Sequence, residues 1–237
     1  MTTNETWHCF SDENAFSLAL AQALTQELQI LLSLQERVVL AVSGGQSPRA
    51  MMALLSHADV DWSRVLIQWV DERLLSRHHP NSNSELIESV LRQDRAAHAQ
   101  WRNLLPEVTG LPRELTDIEQ KSVLQAALSA YKKPDVVVLG MGEDGHTASL
   151  FPHAKQLPQA LNLHNTVPLM VLQDAVAPYT RISMTLPAIL AAQVIFIAAY
   201  GSQKRAVLQQ AARQLDANLP ISSVFYHAQK IPIHVYC

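Results

Sequence analysis

Residues 135–152 read DVVVLGMGEDGHTASLFP, an apolar run that passes into glycines and then into a histidine with hydroxyl neighbours. Asp135-Val136-Val137-Val138-Leu139 is short, rich in β-branched residues and bounded by Pro134 and Gly140. That is the pattern of a strand covered on both faces in a parallel sheet. The reading puts His146 just past a strand's carboxyl end, where ligands bind in open α/β sheets because converging loops stand on a rigid support.

The neighbouring segments repeat the pattern. Upstream, Arg37–Val42 (RVVLAV) runs into Ser43-Gly44-Gly45-Gln46-Ser47-Pro48 and then a helical stretch, Arg49–Ser56. Ser47 suits an N-cap, and Pro48 suits a first helical position, where no hydrogen bond is lost. The glycines let backbone N–H groups approach an anion at a helix N-terminus; an ordinary tight turn would use them equally well. Val65–Val70 (VLIQWV) delivers Asp71-Glu72-Arg73 to the same edge. Arg73 can grip a phosphate with two donors while a neighbouring carboxylate orients it or contacts a sugar hydroxyl, the plainer alternative being a solvated ion pair. Downstream, Arg181-Ile182-Ser183-Met184-Thr185 is short and alternating, and Val194–Tyr200 ends in Gly201-Ser202-Gln203-Lys204. Taken singly, Arg181 and Lys204 are surface cations; together they can converge on one anion.

The rest of the chain supplies scaffold. Thr6–Phe10 suits an edge strand, and Ser11 or Asp12 caps a helix to about Leu34 whose buried face carries Phe16, Leu20, Leu24, Leu28 and Leu31. Glu85–Trp101 is expected to be helical, Leu104–Leu115 is broken by Pro106, Gly110 and Pro112, and Thr116–Tyr131 resumes a helix. Further strands are expected at Val167–Leu172 and Ile233–Tyr236. Strands alternating with helices predict an α/β fold with a mostly parallel sheet covered on both faces, in one domain spanning 1–237. With 237 residues and 48% hydrophobic content, the chain can bury a large core. A formal charge of −3 with interspersed signs gives no footprint for nucleic acid or anionic membrane, so the expected partner is a small molecule. Cys9 and Cys237 form neither a metal spacing nor a disulfide framework and read as free thiols in a reducing cytosol. MTTNETWHCF lacks the pattern of an export signal, and Ala15–Leu34 is interrupted by Gln22, Gln26, Glu27 and Gln29. A cytoplasmic location is therefore expected.

Two chemistries compete for the histidine stretch. Gly140-Met141-Gly142-Glu143-Asp144-Gly145 matches G-x-G-x-x-G, but the acidic ribose ligand expected about 20 residues on is missing from Ala160–Met170. Alternatively His146, whose side-chain type titrates near neutrality, serves as general base with Asp144 orienting the ring or touching substrate. The bland reading is a structural histidine, with Asp144 capping a helix that starts near it. His78 and His79 lie in a polar loop without the ligand set of a metal site.

The combination SGGQSP at Ser43–Pro48, DER at Asp71–Arg73 with PNSN at Pro80–Asn83, GMGEDGHTASLFP at Gly140–Pro152, RISMT at Arg181–Thr185 and GSQK at Gly201–Lys204 resembles the 6-phosphogluconolactonase family in order and over nearly the whole chain. The resemblance implies a Rossmann-like three-layer αβα domain of the glucosamine-6-phosphate deaminase type. It also implies hydrolysis of a sugar phosphate lactone without metal or cofactor. A monomer or weak homo-oligomer is expected, although the sequence itself does not fix the oligomeric state. The resemblance makes His146 the general base, Asp71 and Arg73 a substrate-contacting pair, and Arg73 and Lys204 phosphate ligands, with Ser43, Gly44, Gly45, Ser47 and Arg181 along the site. Gln46 stands where the family often has a hydroxyl residue. Phe151 stands where the related deaminases place a carboxylate, which argues for the lactonase.

Overall fold

Runs of Val, Ile and Leu give strands because branched side chains pack well on a pleated surface. The computed structural model describes residues 4–45, 47–106, 116–174 and 177–237. Its strands are β1 (Glu5–His8), β2 (Val38–Val42), β3 (Val65–Trp69), β4 (Asp71–Arg73), β5 (Gln100–Trp101), β6 (Val136–Gly140), β7 (Leu169–Leu172), β8 (Arg181–Met184), β9 (Val194–Ala198) and β10 (Ile233–Tyr236). Its helices are α1 (Glu13–Leu34), α2 (Ser47–Ser56), α3 (Asn83–Leu86), α4 (Asp117–Ala130), α5 (Leu157–Leu161), α6 (Leu186–Ile189), α7 (Ser202–Ala211) and α8 (Ile221–His227).

Seven strands form one parallel sheet in the order β1-β10-β9-β6-β2-β3-β5. Successive residues of a strand point to opposite faces, so the complete burial of Val136, Val137, Val138 and Leu139 means that both faces of β6 are covered. The α/β class expected from the sequence is what the chain adopts. Asp12 caps α1 by accepting from the Ala15 amide at 2.8 Å, and the helix buries Phe16, Leu20, Leu24, Leu28 and Leu31 as its spacing requires. By length and composition α1 could cross a membrane; here those residues belong to the core. Thr116 and Glu119 form a capping box at the start of α4.

Three features differ from the sequence reading. β4, β8 and β7 leave the main sheet and pair antiparallel as a small sheet of their own, with Asp71 opposite Ser183 and Arg73 opposite Arg181. The expected helix over Glu85–Trp101 breaks into the end of α3, a π-helical turn at Ile87–Leu91, a 3₁₀ turn at Asp94–His98 and β5. The wider turn brings both Ile87 and Leu91 into the core, and Asp94 adopts φ +48°. Finally, Cys9 and Cys237 are not free thiols but form a disulfide, with Cα atoms 4.6 Å apart across 228 residues of sequence. β1 adds alongside β10, so the residues just after each strand meet. Gln46 and most of the expected break at 104–115 lie outside the described residues, as does the Ser47 side chain.

Candidate active site

β2 and β6 lie side by side, yet β2 leads on to β3 in one direction along the sheet and β6 leads to β9 in the other. Divergence of two crossovers opens a crevice at the carboxyl ends of the strands. The cleft there is lined by Ser43, Gly44 and Gly45 after β2, by Asp71 and Arg73 of β4, and by Gly140, Met141, Gly142 and His146 after β6. Asn83 of α3, Ala148, Arg181 of β8, Ala198 of β9, Lys204 of α7 and Pro48 of α2 complete the wall.

The β6 loop is built to hold an imidazole. The Gly142 amide donates to the His146 carbonyl at 3.0 Å and the Gly145 amide to the Gly142 carbonyl at 3.0 Å. A Cβ on Gly142 would overlap the His146 ring and lie 2.6 Å from Asp144 Oδ1. Gly145 has φ +75° and faces Leu219, a conformation and a spacing that only glycine tolerates without strain. Asp144 Oδ1 lies 2.5 Å from His146 Nδ1 and accepts from the His146 amide at 3.1 Å. A neutral ring in that contact carries its proton on Nδ1 and its lone pair on Nε2. No helix starts at His146: residues 143–145 form a turn, which corrects the reading of Asp144 as a helix cap.

Beyond His146, a compact turn runs through Ala148, whose φ of +51° is unusual for a residue with a Cβ. Thr147 Oγ1 donates to the Gly140 carbonyl at 2.8 Å and ties the turn to the end of β6. Ser149 then donates its hydroxyl to Asp71 Oδ2 at 2.6 Å, and its amide donates to Ser183 Oγ at 3.1 Å. Asp71, 5% exposed, is also held by Asn83, whose Nδ2 donates to the Asp71 carbonyl at 2.6 Å. A Cβ on Gly44 would run into the Asn83 amide group, so Gly44 is small because Asn83 stands against it.

The cations of the cleft are anchored from behind. Arg73 Nη1 donates to the Asn81 carbonyl at 2.7 Å, and Arg181 Nη2 donates to the Pro178 carbonyl at 3.4 Å. Burial pushes the Arg181 pKa down, while the nearby Asp71 carboxylate pushes it back up. Ser43 Oγ, Arg73 Nε and Arg181 Nε are buried without a hydrogen-bond partner among the described residues. Buried polar atoms are rarely left unpaired, so this group is suited to a polar, anionic guest.

Of the residues singled out in the sequence, Ser43, Gly44, Gly45, Asp71, Arg73, His146, Arg181 and Lys204 are brought to the cleft. Asp144 stands behind His146 and not on the wall; α2 begins at Ser47. Sequence reasoning missed Asn83 as a wall residue and Ser149 as the support of Asp71. The PNSN run marked Asn83 and the GHTASLFP run marked Ser149, but nothing local pointed to the pairing of Ser149 with Asp71, 78 residues away. His78 pairs with Glu85 at 3.0 Å, and no group of three potential metal ligands occurs among the described residues.

Residues 11–233 match the family model for glucosamine-6-phosphate isomerases/6-phosphogluconolactonase. A 6-phosphogluconolactonase of Neisseria meningitidis is 40% identical over 230 residues, covering 97% of each chain. A solved structure assigned as 6-phosphogluconolactonase from Neisseria gonorrhoeae superposes with a TM-score of 0.90 at 39% identity, covering 98% of each chain. That of a 6-phosphogluconolactonase from Shewanella baltica gives 0.87 at 31% identity, covering 98% of this chain and 96% of the other.

Proposed function

The chain belongs to the glucosamine-6-phosphate isomerase/6-phosphogluconolactonase family, and from that premise we propose that it hydrolyses 6-phospho-D-glucono-1,5-lactone to 6-phospho-D-gluconate in the oxidative pentose phosphate pathway. Relatives at 31–40% identity from Neisseria, Helicobacter, Mesorhizobium and Shewanella carry the lactonase name, which favours lactone opening over the deaminase chemistry of the same family. The observation that carries the mechanism is the 2.5 Å contact of Asp144 with His146 Nδ1 in a cleft that also holds Arg73, Arg181 and Lys204.

In this mechanism Arg73 and Lys204, with Ser43, Gly44, Gly45 and Ser47, hold the phosphate, and Arg181 adds a further positive charge. Asp71 contacts the sugar. His146 Nε2 removes a proton from water as its oxygen bonds to the lactone carbonyl carbon, and oriented N–H donors stabilise the oxyanion. Collapse of the tetrahedral species breaks the bond to the ring oxygen, which takes the proton from the imidazolium. Asp144 keeps the ring in the reactive tautomer and steadies its charge. A lactone is an activated ester, so a general base plus positioning suffices and no metal is called upon. A phosphorylated sugar carries charge that does not cross a lipid bilayer. We therefore place the protein in the cytoplasm with its substrate, as a monomer or weak homo-oligomer.

The test is hydrolysis of freshly prepared lactone, followed by pH-stat against the spontaneous rate. Acceleration by the wild type is expected, and His146→Ala is expected to lose about 10²–10⁴-fold in kcat. Arg73→Ala or Lys204→Ala should chiefly raise KM. Undiminished turnover in His146→Ala would remove the general base, and ammonia release from glucosamine 6-phosphate without lactone hydrolysis would replace the reaction.

A further inference from the structure

Phe151 was of interest in the sequence for what it is not, a carboxylate. In the fold it does something more definite. Its side chain is buried, its ring centroid lies 4.3 Å from that of His146 at an interplanar angle of 34°, and the guanidinium carbon of Arg181 sits 4.7 Å from the same centroid. One aromatic ring thus touches both a group on the β6 loop and a group on β8, in two different sheets. We propose that Phe151 is a positioning residue for the hydrolysis, holding the His146 imidazole and the Arg181 guanidinium at a fixed spacing across the cleft.

The hydrogen bonds that hold the two groups are local to each one's own segment and tie neither to the other. The hydrogen-bond anchor of the His146 ring is Asp144, two residues away on the same loop and with a half-exposed side chain. An anchor that moves with the loop fixes the tautomer but not the placement of the ring in the cleft. Arg181 has one long hydrogen bond from Nη2, at 3.4 Å, and a buried Nε without a partner among the described residues. The face of an aromatic ring attracts a guanidinium electrostatically and offers an imidazole a flat contact.

Phe151 is itself firmly held. Its amide donates to the Ser149 carbonyl at 3.1 Å, the Leu150 amide donates to the Thr147 carbonyl at 2.9 Å, and Thr147 is tied to Gly140. The ring is therefore a rigid wall joined to the end of β6, against which two functional groups lean. Charged groups facing the same cleft are Asp71, Arg73 and Lys204.

The inference rests on the lactonase reading, and its test has one arm that does not. In NMR spectra, ring-current shielding should move the His146 Cε1 or Cδ2 proton upfield in the wild type. Phe151→Leu should abolish that displacement whether or not the protein turns over lactone. In the lactone assay, Phe151→Leu should lower kcat roughly 10–100-fold, as expected for small misplacements of reacting groups, and raise KM several-fold. Phe151→Tyr, which keeps the ring, should restore most of both.

Double-mutant cycles separate positioning from mere packing. Phe151→Leu should have almost no further effect on kcat in a His146→Ala background, nor on KM in an Arg181→Ala background. Additive losses in both backgrounds, or an unchanged His146 shift, would overturn the proposal. If Phe151→Leu fails to fold, Phe151→Met fills the space without a ring and takes its place in every arm. Absence of lactone hydrolysis by the wild type would refute the reaction and leave the NMR result to decide the contact.

Discussion

Glu72 lies between Asp71 and Arg73 in sequence and on the other side of β4 in space. Alternation along a strand sends neighbours to opposite faces, so Asp71 and Arg73 reach the cleft while Glu72 turns into the loop beyond it. Its carboxylate accepts from the amides of Arg73 (2.8 Å), Asn83 (2.8 Å) and Ser84 (2.6 Å) and from the hydroxyls of Ser82 (2.9 Å) and Ser84 (2.8 Å). Burial raises its pKa, and the amides of Asn83, Ser84 and Arg73 with the Ser84 hydroxyl draw it back down. Glu72→Ala would strand several buried donors and is expected to destabilise the protein by about 3–5 kcal/mol, measured by urea unfolding. Because the same carboxylate sets the backbone that carries Asn83 and Arg73, KM should rise as well. The DER triplet announced charge at a strand end, and it was legible as part of a site. That Asp71 and Arg73 and not Glu72 belong to the site came from the family resemblance; the triplet alone does not say which members face inward, because that depends on the pairing of β4 with β8 more than a hundred residues away.

At the scale of elements, the long-range order follows from local chemistry wherever runs are apolar and continuous. β2, β3, β6 and β9 are such runs, and each appears where its residues predict. The antiparallel sheet of β4, β8 and β7 is made of three- and four-residue strands, too short for their periodicity to identify a partner. On β10 the side chains carry a further consequence. His234 stacks on Phe196 at 5.1 Å and lies 6.1 Å from His8, one strand away on β1. Burial first, and the His8 ring second, lower the His234 pKa below the ordinary histidine value of 6.5. The unfolded chain then takes up this proton before the folded one does. The associated stability is present above about pH 6.5 and is lost as the pH falls through the folded pKa. Thermal unfolding should show Tm declining between pH 7.5 and 5.5, and His234→Gln should flatten that decline.

Over the whole molecule, the sheet brings β1 to β10 and with them Cys9 to Cys237. A separation of 228 residues hides such a pair from any reading of spacing; only the topology reveals it. A cross-link of this span limits the unfolded chain over nearly its whole length, and the usual contribution is about 2–4 kcal/mol. For a chain of this size, reduction by dithiothreitol or Cys9→Ser should lower Tm by roughly 4–16 °C. Activity should change little, because other contacts secure the helix that carries Lys204. Arg205 Nη2 donates to the carbonyls of Phe10 (2.7 Å) and Cys237 (3.1 Å), and the Tyr200 hydroxyl donates to the Ser11 carbonyl at 3.0 Å.

The same bond makes the polypeptide a closed ring from Cys9 to Cys237. A protease that cuts once inside that ring, for instance in the polar loop Ser76–Asn83, separates no fragment from the rest. The severed protein would run as one band on a gel without reductant and as two with it, so a single band without reductant is not evidence of an uncut chain.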